Sequence, residues 1–164
     1  MSARPILLYP DPVLKTSAAP VTPGHPDVAS IVQDLLETLQ ASPGVALAAP
    51  QIGCAVRIIV VDVSRKTGES GRGLVVLLNP RIRHQERERI VREGCLSVPD
   101  FTGNVLRYEQ IVVEGLSPEG APVTITASGF EALAFQHELD HLNGTLFLDR
   151  IRSLETDLFR RKNF

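Results

Sequence analysis

The residues best suited to chemistry in this sequence are His137, Glu138 and His141, which form the pattern His-Glu-x-x-His. On a helix with about 100° per residue, histidines four positions apart share one face, so both imidazoles can reach one ion. The glutamate lies beside them, where it can exchange a proton with a metal-activated water without being a ligand. The pattern therefore predicts a hydrolytic metal site.

A purely structural alternative is that the helix buries two histidines through hydrogen bonds, with Glu138 as their partner. The neighbouring positions are almost all apolar: Phe130, Ala132, Leu133, Ala134, Phe135, Leu139 and Leu142. Burying two imidazoles and a carboxylate there costs on the order of several kcal/mol, which a bound dication would offset directly. We therefore favour the metal site.

A hydrolytic site of this kind takes three protein ligands and keeps one open position. The candidates for the third are His25 in a proline-rich loop, His84 in a charged segment, a carboxylate or a thiolate. Cys95 stands out because it follows Gly94, where the backbone can bring a side chain and a bare amide close to a ligand. A thiolate beside two imidazoles suits Zn(II) or Fe(II). We interpret Cys54 as inert packing, which is the commoner role of a buried cysteine.

A second segment of interest runs from Gly44 to Gly53 and is rich in small residues. Small residues allow close approach of the backbone, and Gln51 adds an amide donor, which is the combination that an oxyanion site requires. The pattern is weak in isolation, because a tight loop packed under a helix has a similar composition.

The helices that must position these residues are marked at their ends. Ser128 and Glu131 have capping-box spacing and Asn143-Gly144 is a terminator, so we expect a buried helix over 129–142. Apolar residues at helical spacing predict an amphipathic helix near the N-terminus, over 28–39. A short terminal helix is expected over 153–161.

Antiparallel strands are predicted around the buried helix, which gives an α+β fold class. Two hairpins are expected, one with a loose tip and one closed by Ser117-Pro118-Glu119-Gly120, with a two-faced charged strand between them. The five strands are expected over 56–63, 74–78, 81–91, 110–116 and 123–127.

Length and composition predict one domain, 1–164, because 43% hydrophobic residues in 164 supply a core without disulfides. With 17 basic and 19 acidic residues, no global field favours DNA or a membrane surface as a partner. Neither an apolar signal core nor a membrane-spanning stretch is evident, so we expect a reducing compartment and two free thiols. A bacterial cytoplasm is expected, with an organelle and a trimmed transit segment as the alternative.

The segments 44–51, 93–97 and 136–141 together resemble the three motifs of the peptide deformylase family, in the same order and at similar spacing. The likeness extends to 10–14, 105–107 and 143–147. It implies a hydrolase that removes the formyl group from the N-terminal formylmethionine of new polypeptides. It also implies an N-formylmethionyl peptide substrate and transient association with the ribosome.

The resemblance carries specific roles onto this chain. The metal ligands it implies are Cys95, His137 and His141, with Glu138 transferring protons and Gln51 and the Leu96 amide holding the oxyanion. The substrate-binding residues it implies are Gly44 and Val45 at the border of the cleft, Arg107 close to the peptide cleft, and Phe130, Leu133 and Ala134 around the methionine side chain. The ion expected is Fe(II), with Zn(II), Ni(II) or Co(II) as substitutes.

One departure is Ala46, since the family usually has a second glycine there, and a methyl group would crowd the substrate or demand a negative φ. This leaves a variant with weak or altered activity as one alternative. A zincin-type metallopeptidase is another, although no histidine follows His141 and only a carboxylate such as Glu155 remains as a downstream ligand. A catalytically silent ribosome-associated module is a third, suggested by Ala46 and the basic tail at Arg160, Arg161 and Lys162.

Overall fold

The computed structural model describes residues 3–66, 68–69 and 71–161. The helices are α1 (Pro26–Gln40), α2 (Gly129–Leu142), α3 (Phe147–Arg150) and α4 (Leu154–Asp157). The strands are β1 (Ala46–Ala48), β2 (Ile58–Val61), β3 (Val75–Cys95), β4 (Val98–Leu116), β5 (Pro122–Ser128) and β6 (Leu158–Arg160). The predicted α+β class is confirmed. None of the helices described here is long and apolar enough to cross a membrane.

The strands form one antiparallel sheet in the order β1-β2-β3-β4-β5, with β6 added to the free part of β4. Strand β2 shows how the sheet is buried. Ile59 and Val61 pack with α2, whereas Ile58 and Val60 pack with α1, because alternate residues of a strand point to opposite faces. All four are fully buried. The two helices therefore cover opposite faces, and α2 lies in the interior as predicted.

Strand β3 is longer than either segment predicted from the sequence, since 74–78 and 81–91 belong to the same strand. The irregularity that separates them lies at Asn79-Pro80, where Asn79 has φ 50° and the register with β4 shifts. The Asn79 side chain bonds to both backbone groups of Val21, which holds the kink in place. Strand β4 starts at Val98, well before the predicted start at residue 110, because its first half alternates polar and apolar residues less regularly.

The ends of α2 agree with the predicted bounds, but the capping box is wrong. The Ser128 side chain makes no capping hydrogen bond. Glu131 instead pairs with Arg72, whose guanidinium also donates to the carbonyl of Thr126. The predicted terminator is confirmed, since Gly144 has φ +71° and its N–H donates to His141 O.

The terminal helix is shorter than predicted. It ends at Asp157, and the chain then pairs with Phe101–Gly103 of β4 as strand β6. Of the predicted basic tail, the structure describes Arg160 and Arg161, and Lys162 lies outside the described residues.

Candidate active site

Strand β3 and helix α2 bring Cys95, His137 and His141 together. Cys95 ends β3 at a two-residue turn formed by Leu96-Ser97, and the turn presents its Sγ to the helix. Sγ lies 3.4 Å from Nε2 of His141, and one donor atom from each of the three residues lies within 4.8 Å of the others. The two imidazole centroids are 4.9 Å apart, as expected for ring neighbours one helical turn apart.

These donors fit one metal ion. Bonds of about 2.0–2.3 Å to a tetrahedral ion hold its sulfur and nitrogen ligands roughly 3.5 Å apart, so the observed spacing needs little closure. Cys95 and His141 are buried and His137 is nearly so. A cation here would compensate the thiolate inside the protein, where an isolated charge is costly. The donor set therefore supports a bound metal ion.

Glu93 orients His137, and its contribution was missed in the sequence interpretation. Its Oε1 lies 2.5 Å from Nδ1 of His137, which leaves Nε2 free to face the other donors. Glu93 comes two residues before Cys95, and strand alternation places both side chains on one face. The two-residue spacing between Glu93 and Cys95 on one strand was the signal that could have identified Glu93 as a site residue.

Arg107 does not reach the cleft, contrary to the role implied by the resemblance. The residue is 2% exposed. Its guanidinium donates to both oxygens of Glu93 at 2.9 and 2.6 Å and to Asp140 Oδ2 at 2.7 Å. A buried guanidinium needs carboxylate partners, and these two carboxylates satisfy it away from the cleft surface that Arg107 was expected to line. Arg107 is thus placed to hold Glu93, which in turn holds His137.

The electrostatics of the centre favour a cation. Burial lowers the pKa of His137, but the charges of Cys95 and Glu93 outweigh burial and raise it well above the usual value. Burial, together with the charge of His137, keeps the pKa of His141 well below its usual value, so His141 stays neutral. A neutral imidazole is the form that binds a metal ion.

Glu138 is buried next to this cluster, with Oε2 4.0 Å from Nε2 of His137. Its Oε1 is buried and has no hydrogen-bond partner among the residues described, although buried carboxylate oxygens are normally paired. Burial, only partly offset by the charge of His137, raises the pKa of Glu138 to about 7. A carboxylate with this pKa can both accept and return a proton at neutral pH.

Gln51 and the residues of the 96–97 turn lie beside the sulfur. Gln51 is 1% exposed, and its Nε2 lies 3.9 Å from Cys95 Sγ and 3.1 Å from Ser97 Oγ. Its Oε1 accepts from the N–H of Ala48 at 3.0 Å, which fixes the amide with its donor toward the centre. A Cβ on Gly44 would lie 2.6 Å from Leu96 Cδ1, so a larger residue at position 44 would require the Leu96 side chain to move.

The centre opens into a cleft of about 410 Å³. The predicted substrate-binding residues that line it are Gly44, Val45, Phe130, Leu133 and Ala134. The sequence interpretation gave no role in the cleft to six further lining residues, namely Pro43, Lys66, Val91, Arg92, Glu93 and Arg161. Ala46 also lines the cleft. It belongs to β1 and is not among the described residues with positive φ, so its methyl group is accommodated without backbone strain.

The other candidate ligands lie elsewhere. His25 caps α1 through its Nδ1, and His84 is exposed beside Glu86 on β3. Cys54 is a free thiol near Arg4, with an Arg4 Nη1 to Sγ distance of 3.5 Å. Cys95 is also free. Within the described ranges, the single grouping of potential metal donors is the one formed by Cys95 and the two histidines of α2.

A Cys-His-His donor set beside a buried carboxylate, at the floor of an open cleft, is typical of mononuclear metal-dependent hydrolases. The sequence profile of the family "Polypeptide deformylase" matches residues 3–157. A peptide deformylase of Thermodesulfovibrio yellowstonii is 42% identical over 99% of this chain and 97% of its own length.

Solved structures give the same result. A peptide deformylase from Legionella pneumophila superposes with a TM-score of 0.86 at 38% identity, covering 94% of this chain and 89% of that one. The Met-Ala-Ser-bound structure of a class I type b peptide deformylase from Acinetobacter baumannii gives a TM-score of 0.85 at 35% identity, covering 92% of this chain and 100% of that one. The chain therefore belongs to the polypeptide deformylase family.

Family membership gives the activity: a metal-dependent amide hydrolase that removes the formyl group from N-formylated peptides. The prediction made from the three motifs is confirmed. The comparisons favour neither the zincin-type metallopeptidase nor a deformylase-like protein with weak or altered activity.

Proposed function

We propose that residues 1–164 form one catalytic domain in which Cys95, His137 and His141 hold a single ion and Glu138 transfers protons. The observation that carries this proposal is the convergence of the three donor atoms within 4.8 Å, next to a buried carboxylate oxygen that has no hydrogen-bond partner among the described residues. When bound, the ion would supply Lewis-acid activation of water and of the formyl carbonyl.

The oxyanion donors in this proposal are the Gln51 side chain and the backbone amide of Leu96. Gln51 is held from behind by Ala48, so its Nε2 is oriented before substrate arrives. A preorganised donor of this kind is typically worth about 10²–10³ in rate, because it needs no reorganisation as charge develops on the oxygen.

Glu138 serves first as base and then as acid. Its carboxylate accepts a proton as water attacks the formyl carbon, and it delivers that proton to the nitrogen that leaves as the new N-terminal amine. The pKa near 7 supports both roles, since neither form of the carboxyl group dominates at neutral pH.

The substrate is an N-formylmethionyl peptide whose methionine side chain packs against Phe130, Leu133 and Ala134. These three residues lie on the ligand-bearing helix and face the cleft. Gly44 and Val45 border the opposite wall. A related structure from Acinetobacter baumannii has Met-Ala-Ser bound, which supports a peptide ligand with methionine first.

The ion we propose is Fe(II), as the family resemblance implies, with Zn(II), Ni(II) and Co(II) as substitutes that the same donors accept. One thiolate and two imidazoles suit each of these borderline ions. We further propose a bacterial cytoplasm as the location and transient association with ribosomes, where formylated N-termini emerge. Co-sedimentation with ribosomes tests that association.

The decisive experiment measures formate release from formyl-Met-Ala-Ser by protein purified without oxygen, with metal analysis of the same sample. We expect one equivalent of metal per chain and release of one formate per peptide. Peptides with a blocked N-terminus and no formyl group serve as the control. Cleavage of their internal bonds without formate release would support a zincin-type peptidase instead.

A further inference from the structure

The C-terminal segment brings a positive charge into the cleft. Strand β6 pairs with β4, and the N–H of Arg161 then donates to Asp100 O at 2.8 Å. The Arg161 side chain lines the cleft and lies against Gly94, since a Cβ on Gly94 would collide with its guanidinium. Gly94 directly precedes the ligand Cys95. The guanidinium therefore lies in the cleft, against the strand residue that precedes the ligand.

Two further cations line the same cleft, Lys66 and Arg92. Within residues 3–66, 68–69 and 71–161, neither these two nor Arg161 forms an ion pair. Most of the arginines elsewhere do so: Arg4, Arg72, Arg81, Arg83, Arg87, Arg89, Arg107 and Arg150. Seven arginines and lysines in the described ranges form no ion pair, and three of them line this one cleft, the other four being Arg57, Arg65, Arg152 and Arg160.

The carboxylates of the cleft do not cancel this charge. Glu93 and Glu138 are its two acidic lining residues, and both lie at the buried end. Glu93 is already paired with Arg107. A cleft with low-dielectric walls and one sign of charge at its mouth concentrates oppositely charged ligands. The open end of this cleft therefore attracts negative groups.

Arg161 is the cation best placed to contact a peptide. Lys66 lies 4.2 Å over the ring of Phe130, and Arg92 lies 3.6 Å over the ring of Phe159 and donates to Asn104. Arg161 has no side-chain hydrogen bond in the part of the chain that the structure describes. Its position beside Gly94 leaves the guanidinium in the same cleft as the three metal-donor residues, without a competing side-chain partner among the described residues.

We propose that Arg161 is a specificity-determining residue that favours substrates with an acidic side chain at the second or third position. The proposal rests on the proposed function, because it assumes that the formylated end lies at the Cys95 centre. The contact is an exposed ion pair, so its effect is modest and sensitive to salt.

The test compares kcat/KM for formyl-Met-Glu-Ser with formyl-Met-Lys-Ser, and formyl-Met-Ala-Glu with formyl-Met-Ala-Lys, using metal-loaded enzyme. We expect the acidic peptide of at least one pair to be preferred by about threefold or more at low salt. That preference should shrink between about 0.05 and about 0.5 M salt. In Arg161→Ala the ratio should approach one, and in Arg161→Glu it should invert.

Arg160→Ala is the matched control, since Arg160 lies next in the chain, is exposed and does not line the cleft. Its ratio should equal that of the unchanged enzyme. The Arg161 variants keep the backbone bond to Asp100, and their metal content and melting temperature verify that they fold. A fold defect would change turnover of all four peptides together, whereas the proposal concerns their ratio.

Two results would overturn the proposal while leaving the proposed function intact. One is formate release from all peptides with the same acidic-to-basic ratio in Arg161→Glu as in the unchanged chain. The other is a uniform rise of kcat/KM for every peptide in Arg161→Ala, which would mean that the guanidinium obstructs the cleft. Absence of formate release from any formyl-Met peptide would refute the proposed function itself.

Discussion

Nδ1 of His137 lies 2.5 Å from Oε1 of Glu93, and both oxygens of that carboxylate accept hydrogen bonds from Arg107. The ring is thereby held in one orientation, with Nε2 directed at the other donors. Arg107 is held in turn by Asp140, which lies on the same helix as His137. The strand that carries Cys95 and the helix that carries the histidines are therefore joined behind the centre.

Glu93→Gln should weaken metal binding by about 10- to 100-fold, the usual cost of losing a partner behind a ligating histidine. The amide keeps the shape of the side chain but removes the charge that polarises the imidazole and pairs with Arg107. Competition with a chromophoric chelator measures the affinity.

The matched control is Glu86→Gln, the same change on the same strand. The Glu86 side chain is 44% exposed and faces His84 and Arg87 rather than the centre. Its metal affinity should equal that of the unchanged chain. Equal affinities in the two variants would refute the positioning role of Glu93.

Glu138→Ala and Cys95→Ala should separate catalysis from metal binding. We expect Glu138→Ala to retain one equivalent of metal and lose about 10²–10⁴ in kcat, because a proton carrier is removed and no ligand is. Cys95→Ala should lose both metal and turnover. Metal analysis and formate release on the same preparations distinguish the two. Undiminished hydrolysis by Glu138→Ala would contradict the role assigned to that carboxylate.

The sequence predicted the parts of this molecule whose information is local. Helix α2 carries both histidines and the glutamate at fixed spacing, and its C-terminal end is marked by Asn143-Gly144, so position and chemistry follow from one segment. The hairpin β4–β5 was likewise marked by its turn. Cys95 was reached from the residues only as one candidate among several, and the family resemblance supplied the choice.

The remaining features depend on contacts distant in sequence. Arg107 pairs with Glu93 across the β3–β4 hairpin and with Asp140 on α2, and no periodicity in one segment reveals such a network. Glu131 does not cap the helix as predicted, because its carboxylate accepts a charge-assisted hydrogen bond from Arg72, which lies on a loop. Arg161 reaches the cleft only because β6 pairs with β4, which a predicted terminal helix had excluded.

Arg107→Leu should reduce the free energy of unfolding by about 3 kcal/mol or more, since a buried carboxylate loses its pairing partner. KM for formylated tripeptides should change by less than about twofold, because Arg107 lies outside the cleft. Urea denaturation and steady-state kinetics measure the two quantities.

The control is Arg89→Leu. Arg89 is 48% exposed and its pair with Glu109 lies at the surface, so its loss should cost less than about 1 kcal/mol. A large rise in KM in the Arg107 variant would restore the peptide-binding role.

The ion pair between Lys15 and Asp149 should make a small part of the free energy of unfolding depend on pH in the acidic range. Burial raises the pKa of Asp149, but the Lys15 ammonium and the N–H of Leu146 outweigh burial and lower it below its ordinary value of 3.8. A depressed pKa means that the stabilisation is complete above pH 3.8 and is lost as the pH falls through the lower, folded-state pKa. Asp149→Asn should therefore be less stable than the unchanged chain at pH 7, and the difference should narrow at pH values below 3.8. A difference that stays constant across this range would contradict the assignment.

Ala46→Gly tests the departure from the family's usual glycine. Ala46 is 8% exposed, packs in the core cluster with Ile59 and Val61, and already has a strand conformation. Glycine in a strand interior costs roughly 0.5–1 kcal/mol in backbone entropy, and loss of the methyl contact adds to this. We expect the melting temperature to fall by about 2–4 °C and kcat/KM for formyl-Met-Ala-Ser to change by less than about twofold, because the methyl group is turned largely into the core. Ala48→Gly, which alters a fully buried alanine of the same strand, calibrates the stability change. A rise of tenfold or more in kcat/KM for Ala46→Gly alone would mean that this methyl group crowds the substrate.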